Sequence, residues 1–180
     1  MNLPTEVRYR PYADWTDEEK TKIRENVAKS PWRASYHIEP ETGLLNDPNG
    51  FSYFNGKFQL FYQSWPFGAA HGLKQWVHTE TEDLVHFTET GVKLLPDHEN
   101  DSHGAYSGSA YQIGDKLLSS ILGTFVMKTG FVTHVKSALG WIKTAKSKNS
   151  TRFLSNNLLT LLGTSVTLKS SITRDNSTLS

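Results

Sequence analysis

Asn55-Gly56 lies between two short apolar runs, Gly50 to Phe54 and Lys57 to Gln63, and this dipeptide restricts the fold more than any other feature of the chain. A two-residue hairpin turn needs positive φ at both central positions, which Asn and Gly tolerate and bulky or β-branched residues do not. The spacing predicts two antiparallel strands. In the second, Phe58, Leu60 and Tyr62 share one face, and Gln59, Phe61 and Gln63 share the other. Further short strands are predicted at Gln75 to Thr79, Val85 to Thr88, Val92 to Leu95 and Tyr106 to Ile113, with loops rich in Gly, Asp, His and Pro between them. Such spacing argues for an all-β meander, as in a sandwich or a propeller blade. One helix precedes the strands. Thr16-Asp17-Glu18-Glu19 has the form of a capping box, and a helix to about Lys29 places Ile23 and Val27 on its inner face before Pro31 stops it.

Composition excludes several chemistries. The 180 residues include no cysteine, so disulfides, thiol catalysis and thiolate metal sites are ruled out. Met1 to Trp15 is polar and shows no secretory signal, and no apolar run approaches the ~18 residues of a membrane span. The expected location is cytoplasmic. The net charge of +1 conceals a break: 11 basic and 17 acidic residues fall between Met1 and Leu118, against 8 basic and one acidic, Asp175, from Ser119 onward. All seven prolines and all seven tyrosines also precede Ser119. The basic charges of the tail are scattered, without aromatic interleaving or a helical stripe, so neither nucleic acid nor a membrane is expected as a partner.

Asp47, in Leu44-Leu45-Asn46-Asp47-Pro48-Asn49-Gly50, is the leading candidate for a catalytic group. Proline fixes its own φ and pushes the residue before it toward an extended conformation, so this carboxylate can be held rigidly. The plain alternative is an Asx-type turn ahead of a strand, since most Asp-Pro and Asn-Gly pairs are punctuation.

Six segments in order bear on that choice: His37-Ile38-Glu39-Pro40, Leu44 to Gly50, Phe61-Tyr62-Gln63, His71-Gly72-Leu73-Lys74-Gln75-Trp76, Glu82 to Phe87, and Tyr106-Ser107-Gly108-Ser109-Ala110. Their order and spacing resemble those of the invertases, glycoside hydrolase family 32, and most of all its bacterial sucrose-6-phosphate hydrolase branch. The resemblance spans roughly Trp32 to Leu117. It implies a five-bladed β-propeller followed by a β-sandwich, and hydrolysis of terminal β-fructofuranosides with retention. By position, Asp47 would be the nucleophile of that reaction. Asn46 and Gln63 would hydrogen-bond the fructosyl hydroxyls, Leu44 and Leu45 would line the funnel, and Tyr106 with Ser107 would form an aromatic-hydroxyl pair at the sugar. His71 falls where many relatives carry a tryptophan. Outside the resemblance, His71 reads equally as a surface histidine, Tyr106 as core packing and Trp76 as core. Lys74 is a candidate phosphate contact, with a solvated surface lysine as the ordinary alternative. His78 and His86 show no metal-ligand pattern, and no cofactor is expected. The expected partner is a small carbohydrate such as sucrose, sucrose 6-phosphate or another fructoside.

The resemblance also implies an Arg-Asp-Pro segment and a Glu-Cys acid/base segment beyond Leu118, and the chain contains neither. Arg174-Asp175 is followed by Asn176 and lacks the surrounding pattern. Back-translating Ser119 to Trp141 and regrouping the bases from the third position of each codon permits a peptide opening Phe-Tyr-Thr-Gly-Asn-Val-Arg-Asp, as the family shows after its Tyr-Ser-Gly-Ser-Ala segment. A change of reading frame near Leu117-Leu118 would account for this and for the loss of Asp, Pro and Tyr; the alternative is a genuinely divergent C-terminus. Three divisions follow: residues 1–31 as an N-terminal segment with a helix, 32–118 as the first part of a propeller, and 119–180 as a poorly ordered tail foreign to the family. Three functional readings stay open: a β-fructofuranosidase, an inactive product of a frameshifted gene, and a carbohydrate-binding β-module.

Overall fold

The computed structural model describes residues 3–97, 101–126, 132–144 and 150–155. An N-terminal arm carries a short helix, α1 (Thr5–Arg8), a 3-10 turn at Tyr12–Asp14, and α2 (Asp17–Ala28). Two four-stranded antiparallel sheets follow. The first runs in the order β1 (Leu44–Phe54), β2 (Lys57–Trp65), β3 (Gln75–Thr81) and β4 (Thr88–Leu94). The second runs β5 (Gly104–Ile113), β6 (Lys116–Val126), β7 (Val132–Thr144) and β8 (Ser150–Ser155). Among the described residues no helix is long and apolar enough to cross a membrane.

The capping box forms as its residues predict. The Thr16 hydroxyl accepts from the Glu19 N–H at 3.2 Å, and the Glu19 carboxylate accepts from the Thr16 N–H at 2.8 Å. Arg10 also pairs with Glu19 at 2.7 Å, and these donors hold the Glu19 carboxyl down to about 2. Ile23, half-buried, packs against a cluster of Trp15, Trp65 and Leu73. That cluster fixes the arm to the first sheet.

Asn55 and Gly56 take φ of 53° and 80°, the turn that their pairing requires. The first strand differs from expectation. It starts at Leu44 rather than Gly50, so Asp47-Pro48 lies inside β1 and not in a turn before it. Register shifts at Asn46/Pro48 and Asn49/Ser52 absorb the proline and the positive φ of Gly50 (58°) as bulges. The expected strand Val85 to Thr88 is absent, and β4 is a single strand from Thr88. In its place Asp83 makes an Asx cap: its carboxylate accepts from the backbone N–H groups of Val85 at 2.9 Å and His86 at 2.7 Å, while the Thr81 hydroxyl accepts from Leu84 N–H at 2.9 Å.

Past Leu118 the described backbone pairs as the strands β6 to β8. Leu117 and Ile121 are buried, and the open edge of β5 offers N–H and C=O groups that a β-competent segment satisfies by pairing. Residues 156–180, which include Arg174-Asp175, lie outside the described residues. One core joins the two sheets: Phe54, Phe61, Trp76 and Leu94 from the first meet Ala105, Ala110, Leu117 and Ile121 from the second. The face of β2 bearing Gln59, Phe61 and Gln63 is turned into this seam, as all three are at most 2 % exposed. The seam positions the site.

Candidate active site

The bulge at Pro48 leaves the Asp47 side chain exposed while the residues on either side of it hold the backbone to both sheets. Asn49 is buried. Its amide donates to the Asp47 carbonyl at 2.7 Å, and its side-chain oxygen accepts from Gly108 N–H at 3.0 Å. A single asparagine thus sets the Asp47 backbone and ties β1 to β5. Gly108 must be glycine for this approach, since a Cβ there would lie 2.0 Å from the Ser120 carbonyl.

Around the carboxylate the polar groups converge. Asp47 Oδ2 accepts from Ser107 Oγ at 3.2 Å and from Gln63 Nε2 at 3.4 Å. Gln63, fully buried, also donates to Ser107 Oγ at 3.1 Å and accepts from Asn46 Nδ2 at 3.4 Å. An amide and a hydroxyl are thus both aimed at one oxygen of this exposed carboxylate. Asn46, Asp47, Gln63 and Ser107 are therefore one network. Tyr106 flanks it, half-buried, with its carbonyl accepting from Trp76 Nε1 at 3.0 Å. Burial and the nearby Tyr9 push the Tyr106 phenol up.

Leu44 and Leu45 sit upstream on β1, opposite Trp65 and Ser64, and both are half-buried. His71 stands apart from the network. It is exposed, its carbonyl accepts from Arg8 Nη1 at 3.0 Å, and its imidazole has no hydrogen bond among the described residues. Trp76 is fully buried in the seam, a core residue as expected. His78 is buried between Gln59 and Thr90, and His86 bonds Asp83. Among the described residues no His, Asp and Glu side chains gather as a metal-holding group.

Lys74 corrects the reading of a solvated surface lysine. It is 1 % exposed and its ammonium has no hydrogen-bond partner among the described residues. Burial pushes its pKa down to about 8, with the charge of Asp47 acting in the opposite direction. The arm is a second feature that sequence reasoning missed. Leu73 N–H donates to the Arg8 carbonyl at 2.8 Å and the Tyr12 hydroxyl to the Leu73 carbonyl at 2.8 Å. The density of aromatics in Tyr9, Tyr12 and Trp15 was the available signal.

The family profile of the glycosyl hydrolases family 32 N-terminal domain matches residues 37–175, which takes in the whole network. The chain belongs to glycoside hydrolase family 32. It is similar to the sucrose-6-phosphate hydrolase of Streptococcus mutans, with 68 % identity over 134 residues, covering 74 % of this chain and 28 % of that protein. The Lactococcus lactis enzyme of the same name is 56 % identical over 110 residues, covering 61 % and 23 %. Among solved structures, sucrose-6-phosphate hydrolase from Lactobacillus gasseri superposes with a TM-score of 0.78 at 39 % identity, covering 84 % of this chain and 30 % of its own. A mutant of the Bombyx mori β-fructofuranosidase BmSUC1 in complex with sucrose gives a TM-score of 0.60 at 28 % identity, covering 77 % and 30 %. The two sheets are accordingly part of an all-β propeller, and the chain spans roughly a quarter to a third of the length of these relatives. The family profile does not stop at Leu118.

Proposed function

We propose that the chain is the N-terminal portion of a retaining β-fructofuranosidase acting on sucrose or sucrose 6-phosphate, with Asp47 as nucleophile. The observation that carries this reading is the exposed Asp47 carboxylate held by Ser107 and Gln63 at the seam of the sheets. A carboxylate oxygen attacks the anomeric carbon of the fructosyl unit. The glycosidic C–O bond breaks, and its oxygen leaves with a proton from an acid. Water, deprotonated by the same group, then releases fructose with a second inversion and so with net retention. Gln63, Asn46 and Ser107 offer paired donors and acceptors suited to sugar hydroxyls, and Tyr106 offers an aromatic face. The acid must sit ~5–5.5 Å from the nucleophile.

A second reading rests on composition. From Ser119 onward Asp175 is the only acidic residue, and no glutamate occurs there to supply the acid/base. Loss of that group alone removes a factor of ~10²–10⁴. On this reading the 180-residue chain, with its frame changed near Leu118, is an inactive product of a frameshifted gene; a carbohydrate-binding β-module that never catalysed is the separate alternative. The division of the chain at residues 31 and 118 belongs to the same proposal.

Two experiments test these readings. Asp47→Asn in a frame-restored, intact version should abolish fructoside cleavage; unchanged cleavage refutes the nucleophile. Sequencing the DNA across codons 110 to 150 tests the frame change, which fails if one uninterrupted frame yields these same residues and the purified chain releases fructose at an enzyme-like rate.

A further inference from the structure

The family profile begins at residue 37, yet the arm ahead of it is built against the site. Three hydrogen bonds fasten the arm to the segment before β3. Leu73 N–H donates to the Arg8 carbonyl at 2.8 Å, Arg8 Nη1 to the His71 carbonyl at 3.0 Å, and the Tyr12 hydroxyl to the Leu73 carbonyl at 2.8 Å. Tyr9 lies between these anchors in sequence, and its side chain turns to the other sheet. Its ring stacks on His103, with centroids 4.0 Å apart and planes 7° from parallel, and its phenol reaches that of Tyr106.

These two contacts straddle Gly104. That glycine takes φ of 133°, and a Cβ there would lie 2.6 Å from the Tyr106 ring, so the backbone itself lies close against the ring. Tyr106 is thus held at three points: its carbonyl by Trp76 Nε1 at 3.0 Å, its ring by Gly104, and its phenol by Tyr9. The sheets supply the first two, and the arm alone supplies the third. The next residue, Ser107, carries the hydroxyl that donates to Asp47 at 3.2 Å. A half-buried ring fixed only through its backbone keeps rotamer freedom, which a ligand packing on it must then freeze at a cost in affinity. A ring frozen beforehand carries no such cost.

We infer that Tyr9 is a positioning residue of the sugar site, contributed by the arm, which fixes the ring of Tyr106 on which the sugar packs. The inference rests on the proposed fructosidase reading, which puts a fructosyl unit beside Tyr106. Tyr9 touches no sugar and takes no part in bond breaking; it acts on affinity through Tyr106.

The test uses the full 180-residue chain and three variants, Tyr9→Phe, Tyr9→Ala and Tyr12→Phe. Calorimetry reads fructose binding, and the nuclear Overhauser contact between the Tyr106 ring and the Gly104 α-protons reads the ring position. Tyr9→Ala should weaken fructose about tenfold and lose much of that contact, the affinity change being what one freed side chain costs. Tyr9→Phe keeps the stack on His103 and loses only the phenol contact, so it should weaken fructose by about threefold. Tyr12→Phe removes one fastening bond of the arm without touching Tyr106, and should leave both readings unchanged. Unchanged fructose affinity in both Tyr9 variants overturns the inference, as does an equal loss in Tyr12→Phe, which would make the arm a structural support only. If Gln63→Leu weakens fructose and Tyr9→Ala does not, the role of Tyr9 fails and the fructosidase reading stands. If the wild type binds no fructose, the fructosidase reading fails and the sugar role of Tyr9 fails with it.

Discussion

Lys74→Met is expected to stabilise the folded protein, against the usual direction for a buried substitution. The lysine is 1 % exposed and its ammonium has no hydrogen-bond partner among the described residues. Burial pushes its pKa down to about 8 from an ordinary 10.5, against the charge of Asp47, so the fold disfavours the charged form. At ~1.36 kcal/mol for each tenfold step in proton affinity, the gap corresponds to about 3 kcal/mol at neutral pH. Methionine matches the length of the stem and removes the charge, so the expected gain is about 2–3 kcal/mol, less any repacking loss. For a chain of this size that is a rise of roughly 5–10 °C in Tm.

The same group fixes a pH dependence. Below about 8 both folded and unfolded lysine are protonated, and the penalty is complete. Between about 8 and 10.5 the folded state gives up its proton while the unfolded state keeps it, so wild-type stability rises with pH across that window. Above 10.5 the difference closes. Urea unfolding followed by fluorescence of the buried Trp15, Trp65 and Trp76 reads this directly. The methionine variant should be more stable at pH 7 and should lack the rise. A less stable variant with the rise intact would refute the unpaired buried cation.

Three other outcomes are expected. Gly50→Ala forces an alanine to φ 58° and puts its Cβ 2.9 Å from both Ala110 and Phe61, so a loss of about 2–3 kcal/mol should appear in the urea midpoint. Thr16→Ala should cost about 1 kcal/mol by removing the cap of α2, seen as faster amide exchange in its first turn. In the wild type the help from Glu19, whose pKa is held down to about 2, is present above its ordinary 4.5 and disappears as pH falls toward 2. Acid titration of the α2 helix signal should show that loss and Thr16→Ala should shift it upward. Gln63→Leu removes the amide that donates to Asp47 and Ser107 and accepts from Asn46, and fructose binding measured by calorimetry should weaken about tenfold or more.

Much of the first sheet was legible because its signals are local. Asn55-Gly56 names its own turn, and alternation along Lys57 to Gln63 names the faces of β2. Asp47 was placed one step wrong for an equally local reason. Pro48 and Gly50 look like strand breakers, but bulges accommodate both because the Asn49 side chain, bonded to the second sheet, anchors the irregular backbone. That anchor lies 59 residues away in sequence, beyond the reach of any local pattern. The Val85 strand failed for the opposite reason: β-branched and aromatic residues there are captured by the Asp83 and Thr81 caps. Lys74 was misread because nothing in a lone lysine distinguishes a solvated ammonium from a buried one.

Stability alone explains neither the seam nor what gathers there. A sheet built only to persist would not interrupt its first strand with a proline, hold a glycine at positive φ, leave a carboxylate exposed mid-strand and bury an ammonium without a partner, all within one neighbourhood. Each of these features disfavours the fold, and the close packing of Phe61, Trp76 and Leu117 in the same seam offsets them. The seam also divides the site between the sheets, because Asp47 and Gln63 come from the first and Ser107 from the second. A lone first sheet would keep the carboxylate but lose the hydroxyl that holds it and the Gly108 contact that sets Asn49. The two sheets must therefore pair for Asp47, Gln63 and Ser107 to stand together as one network.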